Sequence, residues 1–122
     1  MSISPEYQEF ALELFEPVGP VSLRRMFGGA GLFHQGLMFA LIIGETIYMK
    51  VDDINRPAYE AAGCEPFTYD TSRGSRGVMS YFALPEVVYD DQAEAAEWAR
   101  GAIDAAFRAD AAKPPSRRKR TT

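Results

Sequence analysis

The stretch from Val21 to Val51 is cut three times by glycine, and that spacing leaves little choice of local architecture. Gly28-Gly29, Gln35-Gly36 and Gly44-Glu45 each suit a two-residue hairpin turn, where a central residue takes positive φ. They divide the stretch into Val21–Phe27, Ala30–His34, Leu37–Ile43 and Thr46–Val51. Ile47, Met49 and Val51 alternate with Thr46, Tyr48 and Lys50, the period of a strand with one buried face. Leu37–Ile43 is apolar on both faces and belongs at the centre of a sheet. Four short strands joined by tight turns predict an antiparallel meander.

Helices bracket this meander. Ser4-Pro5 is a cap followed by proline at the first helical position, and Tyr7, Phe10, Ala11, Leu14 and Phe15 recur at helical spacing before Pro17 closes the run. After the fourth strand Asp52, Asp53 or Asn55 can cap a short helix that ends at Gly63. Phe67–Tyr69 and Val78–Leu84 read as two further strands, and the polar segment Asp70–Gly77 between them reads as a mobile loop. Asp90 or Asp91 caps a last helix, whose buried stripe is Ala95, Trp98, Ala99, Ala102, Ile103, Ala106 and Phe107, with Trp98 as a core anchor. The order α-β-β-β-β-α-β-β-α predicts a two-layer α+β domain, an antiparallel sheet with helices over one face.

Charge divides the chain in two. Of 13 Lys and Arg residues, Lys113, Arg117, Arg118, Lys119 and Arg120 lie in the last ten positions, which leaves eight against all 17 acidic residues in positions 1–112. The body therefore carries −9 and the tail +5, so residues 1–112 are expected to form the domain and 113–122 a disordered basic tail. An acidic body is a poor binder of phosphate backbones, and only weak nucleic-acid association is expected, through the tail and the Arg-bearing loop. The N-terminus has neither a basic leader nor an apolar core, and the longest apolar run, Leu37–Ile43, is far short of the roughly 20 residues a membrane helix needs. A cytoplasmic protein without membrane association is expected.

Catalytic chemistry finds little support. Cys64 is the one cysteine and His34 the one histidine, which excludes a disulfide framework and any site built on several of either. Cys64 follows the end of a short helix with no cation beside it to favour a thiolate. Met26–Gly31 is glycine-rich but matches neither GxxxxGK nor GxGxxG and leads into a strand, so it reads as a turn and not a phosphate loop. Neither a catalytic constellation, a cofactor nor a metal is expected. A pocket lined by Tyr48, Tyr59, Tyr69 and Tyr81 is a minor reading. The candidate contacts for an anion or an acidic partner are Arg24, Arg25, Arg73 and Arg76, together with Arg117, Arg118, Lys119 and Arg120. Arg24 and Arg25 are adjacent in a strand and therefore point to opposite faces. An exposed sheet face or edge strand could also pair two copies.

Five stretches carry a family resemblance: Arg24–Phe33 with its MFGG, Gly36–Ala40, Ile47–Asp52 with its YxK, Ala62–Tyr69 and Met79–Glu86. In this order and spacing they resemble the TfoX/Sxy N-terminal domain family, over roughly residues 5–110. The resemblance implies a two-layer α+β domain similar in fold to secretion chaperones, without enzymatic activity and without catalytic or cofactor residues to carry over. Some members of the family regulate natural competence as coactivators with a cyclic-AMP-responsive transcription factor, so a transcription regulator or a polymerase-associated protein is the expected partner. The longer regulators carry a second, C-terminal helical domain, whereas this sequence has the length of the N-terminal module alone.

Overall fold

The structure, a computed structural model, describes residues 3–26 and 28–114. Helix α1 is Pro5–Leu14, and the Ser4 hydroxyl accepts from the Tyr7 amide at 3.1 Å as the cap residue should. Strands β1 (Ser22–Met26), β2 (Gly29–His34), β3 (Leu37–Ile43) and β4 (Thr46–Lys50) follow. Then come α2 (Arg56–Ala61), β5 (Pro66–Thr71), β6 (Gly74–Ala83) and α3 (Gln92–Ala111). All strand pairs are antiparallel, in the order β1-β2-β3-β4-β6-β5. The α+β architecture and the element order therefore stand as the glycine spacing, the caps and the apolar periodicity indicated.

One face of the sheet and one side of each helix make the core. Ala30 and Leu32 of β2, Phe39, Ala40 and Ile42 of β3, and Ile47 and Met49 of β4 are fully buried. They meet Ala11, Leu14 and Phe15 from the first helical segment and Ala95, Ala99 and Ala102 from α3. The alanine stripe lets α3 lie close on β3 and β4, since a small side chain sets a short distance between layers. Phe39 and Ala40 both face this core because the β2–β3 register shifts between Leu32 and Phe33, a bulge that turns two successive side chains inward. Phe39 uses that turn to set its ring edge-on to Phe15, with centroids 5.7 Å apart.

Two turns depart from the sequence reading. Gly29 lies inside β2 and not in the first turn: a Cβ there would overlap the Ile42 carbonyl oxygen, so glycine is required for strand approach. The segment Asp70–Gly77 is a hairpin and not a mobile loop. Thr71 pairs with Gly74, leaving Ser72 and Arg73 as the turn. The polar side chains that suggested a loop stabilise this turn. Thr71 Oγ1 donates to the Gly74 carbonyl at 2.7 Å and accepts from the Arg73 amide, and Ser75 Oγ donates to Asp70 Oδ1 at 3.0 Å.

At the start of α2 the structure selects among the caps that the sequence offers. Asn55 is its cap residue by position but makes no side-chain cap bond. Asp52 acts one turn earlier, where Oδ1 accepts from the Ile54 and Asn55 amides at 3.0 and 3.3 Å. No helix among the described residues is long and apolar enough to cross a membrane.

Candidate interaction surface

The side of the sheet turned away from the helices is lined by a second set of apolar residues. Pairing places Leu41 opposite Gly31 and Tyr48, and Phe67 packs its ring edge-on to Tyr48 at 5.0 Å. Leu41, Ile43, Tyr48 and Phe67 are all half-buried, and none belongs to the helix-side core. Gly31 sits at the middle of this face beneath Met26, Met38 and Phe33, where a Cβ would come 2.5 Å from the Met38 sulfur. Arg24 lays its guanidinium over the Phe33 ring, 4.8 Å from the centroid, at one margin. An apolar sheet face outside the helix-side core is a candidate contact surface.

Beyond β4 the face continues onto a ribbon. Only Tyr81, Phe82 and Ala83 of β6 pair with β4, so β5 and the first half of β6 run on as two strands alone. The ribbon carries Tyr69, 48% exposed and stacked on Phe67 at 6.3 Å, and Met79, 52% exposed. Arg73 stands in its turn and Arg76 opposite Tyr69.

The sequence-predicted cations are not brought together. Arg24 and Arg25 lie on β1, one edge of the sheet, and Arg73 and Arg76 on the β5–β6 ribbon at the other. Four to five strand spacings of about 4.8 Å put the two pairs about 19–24 Å apart. Arg117, Arg118, Lys119 and Arg120 lie outside the described residues. The tyrosine pocket does not form either: Tyr59 is buried on the helix side against Trp98, centroids 4.7 Å apart, while Tyr48 and Tyr69 face the opposite way. Trp98 itself is half-buried, packed on the core and lining a shallow cleft with Ala58 and Gly101.

Neither single reactive residue sits in a catalytic setting. Burial pushes the Cys64 thiol up, away from the reactive thiolate. His34 Nδ1 donates to the Pro20 carbonyl at 2.8 Å, which fixes the ring against the β1 approach. No group of three or more His, Cys, Asp or Glu among the described residues could hold a metal ion.

Sequence reasoning missed one polar cluster. Arg108 of α3 grips Asp52 in fork geometry, Nε to Oδ2 at 2.7 Å and Nη2 to Oδ1 at 3.0 Å. The Arg108 hydrogen bonds, opposed by burial and helped by the two backbone amides, hold the Asp52 carboxyl down at about 2. The residues are 56 positions apart, so no local pattern could join them.

The family model of the TfoX N-terminal domain matches residues 13–106. DNA transformation protein TfoX of Haemophilus influenzae is 30% identical over 90 residues, which cover 72% of this chain and 42% of that protein. DNA transformation protein TfoX1 of Aliivibrio fischeri is 28% identical over 80 residues, covering 66% of this chain and 38% of the relative. The chain thus spans about two fifths of the length of these curated relatives.

Proposed function

Because the chain belongs to the TfoX N-terminal domain family, we propose that it is a non-enzymatic regulatory domain of DNA transformation that binds a transcription regulator on the open face of its sheet. The observation that carries this reading is the apolar face formed by Leu41, Ile43, Tyr48 and Phe67, which no helix of the described chain covers and which continues onto the exposed Tyr69 and Met79. A family whose named relatives act in DNA transformation supplies the process, and an uncovered face supplies the means. In this reading the domain works in the cytoplasm, without a cofactor, and its output is a change in the partner's activity.

The test is site-specific photocrosslinking in cells that carry the full chain, with the crosslinking residue at Tyr48 or Tyr69 on the open face, or at Glu94 on α3. Adducts with a transcription regulator or a polymerase-associated protein are expected from the first two positions and not from Glu94. Adducts of equal yield from all three positions, or adducts only with a second copy of the chain, overturn the assignment.

A second reading is weak nucleic-acid association through the basic tail and the turn-bearing ribbon, and the ribbon that carries Arg73 and Arg76 is its structural support. The basic run Arg117–Arg120 supports it by charge alone.

A further inference from the structure

The sheet ends on β5, and no strand among the described residues pairs with its outer side. The turn that follows β5 fixes which backbone groups are free there. Thr71 and Gly74 close a two-residue hairpin, and in such a hairpin the pair next to the turn exchanges both hydrogen bonds. Every second pair does the same, so Thr71, Tyr69 and Phe67 spend their amides and carbonyls on β6. Thr68 and Asp70 turn theirs outward, two donors and two acceptors along a bare edge.

Native edges are commonly guarded by charge, by proline or by a covering element. The opposite edge, β1, carries the adjacent Arg24 and Arg25, so two copies of β1 would gather four arginines. β5 holds a single charge, Asp70, and its proline stands at the first position, Pro66, ahead of the free groups. Thr68, Tyr69 and Asp70 are exposed, and the ribbon that carries them runs on beyond β4. This edge is open to another strand.

The residues of β5 are complementary to β5 itself. Three antiparallel registers bring the free groups of two copies together, centred on Thr68, Tyr69 or Asp70. Centring on Asp70 sets two carboxylates side by side, which is unfavourable. Centring on Thr68 places Asp70 against Pro66, which has no amide to give. Centring on Tyr69 pairs Thr68 of each copy with Asp70 of the other, and all four outward amides find carbonyls. The same register sets Arg73, at the tip of each ribbon, across from Glu65 at the base of the other. Arg73 and Glu65 are exposed, opposite in charge, and in no ion pair among the described residues. Tyr69 meets its counterpart in a closely spaced pair, which covers a ring that is 48% exposed in the single chain. The bodies do not collide, because the two Pro66 residues stand six positions apart along the joint, about 20 Å.

We propose that two copies of this chain associate through their β5 edges, antiparallel about a two-fold axis at Tyr69, so that their sheets join into one. The joint is one strand wide and well below the area that a stable dimer buries, so it forms at about a hundred micromolar. It uses the strand edge and leaves the faces of both sheets open. A chain that stays monomeric therefore overturns this joint without touching the regulator-binding reading of the open face.

The experiment is sedimentation equilibrium of the full chain from about 10 µM to 1 mM. A monomer–dimer equilibrium is expected, with no larger species, since a two-fold joint closes on itself. Arg73→Glu and Glu65→Arg should each weaken the dimer by about tenfold, because two attractive contacts become two repulsive ones. The double variant should return to within about threefold of the natural chain. Thr68→Pro removes an outward amide that β6 does not use, and should abolish the dimer. A monomer throughout the range, association beyond a dimer, or a dimer indifferent to Arg73→Glu would overturn the proposal. So would a double variant no tighter than either single one. Arg73 lies in the turn and Glu65 ahead of β5, so the charge variants decide the matter even if Thr68→Pro does not fold.

Discussion

The Asp52 carboxylate accepts from Arg108 on α3 and from the Ile54 and Asn55 amides ahead of α2, while its own amide donates to Asn55 Oδ1 at 2.7 Å. Asn55 in turn donates to the Lys50 carbonyl at 3.0 Å. Asp52 and Asn55 together thus pin the end of β4, the start of α2 and the last turns of α3. With 28% of the Asp52 side chain and 38% of the Arg108 side chain in water, solvent screens part of the attraction. Asp52→Asn is expected to cost about 1–2 kcal/mol at pH 7, the range for a charge-assisted pair that is not fully buried. The folded carboxyl titrates at about 2, below its ordinary 3.8, so its contribution is complete above about pH 4 and is lost as pH falls through 2. Urea unfolding of the two proteins at pH 7 and pH 2 checks the sign. The gap between them should close at the lower pH, and a gap that stays constant would show that the charge is not what Asn removes.

Among the elements, the strands that glycine delimits were readable because the chemistry of a tight hairpin turn is local: Gln35 and Gly36 both take positive φ, 52° and 82°, which few residue pairs tolerate. α1 and α3 were readable from their caps, Ser4 and Asp91, whose side chains accept from the amides three residues on. What escaped was set by distance along the chain. The β5–β6 ribbon is closed by Thr71 and Ser75, whose polar side chains fit a loop as well as a turn until cross-strand pairing selects between them. Gly29 looked like a turn residue because its real constraint, the Ile42 carbonyl oxygen, comes from another strand. The open face was hidden for a similar reason: Leu41 and Ile42 are equally apolar in sequence, and only the helices decide which is covered. Two glycines of β2 separate these constraints. Gly29→Ala must displace the backbone of β3 and is expected to cost about 3 kcal/mol, at the top of the usual overpacking range. Gly31→Ala meets only side chains, the Met38 sulfur at 2.5 Å and the Met26 methyl and a Phe33 ring carbon at 3.1 Å; the methionines can turn away and the ring must shift slightly, so the cost should be about 1–2 kcal/mol. Urea midpoints of the two variants give the order directly, and a larger loss for Gly31→Ala would contradict it.

At the scale of the whole molecule, charge and topology bear on the nucleic-acid reading together. A duplex presents an array of phosphates, so affinity grows with the number of cations that can reach it at once. Arg24 and Arg25 stand on β1, four to five strand spacings or about 19–24 Å from the β5–β6 ribbon that carries Arg73 and Arg76. They belong to a body in which eight basic residues stand against 17 acidic ones. Any duplex binding must then come chiefly from Lys113 and the Arg117–Arg120 run, five cations within ten residues. Five phosphate contacts give a log–log dependence of affinity on salt of about −4 to −5. Filter binding of the full chain to duplex DNA between low and moderate salt should show that slope. Replacing Arg117, Arg118, Lys119 and Arg120 with Gln should flatten it by about 3–4 units, whereas Arg73→Gln with Arg76→Gln should change it by less than about 2, the limit set by two phosphates. If the Gln run leaves the slope unchanged while the ribbon variant flattens it, the ribbon is the contact, and the acidic body does not govern where this molecule meets phosphate.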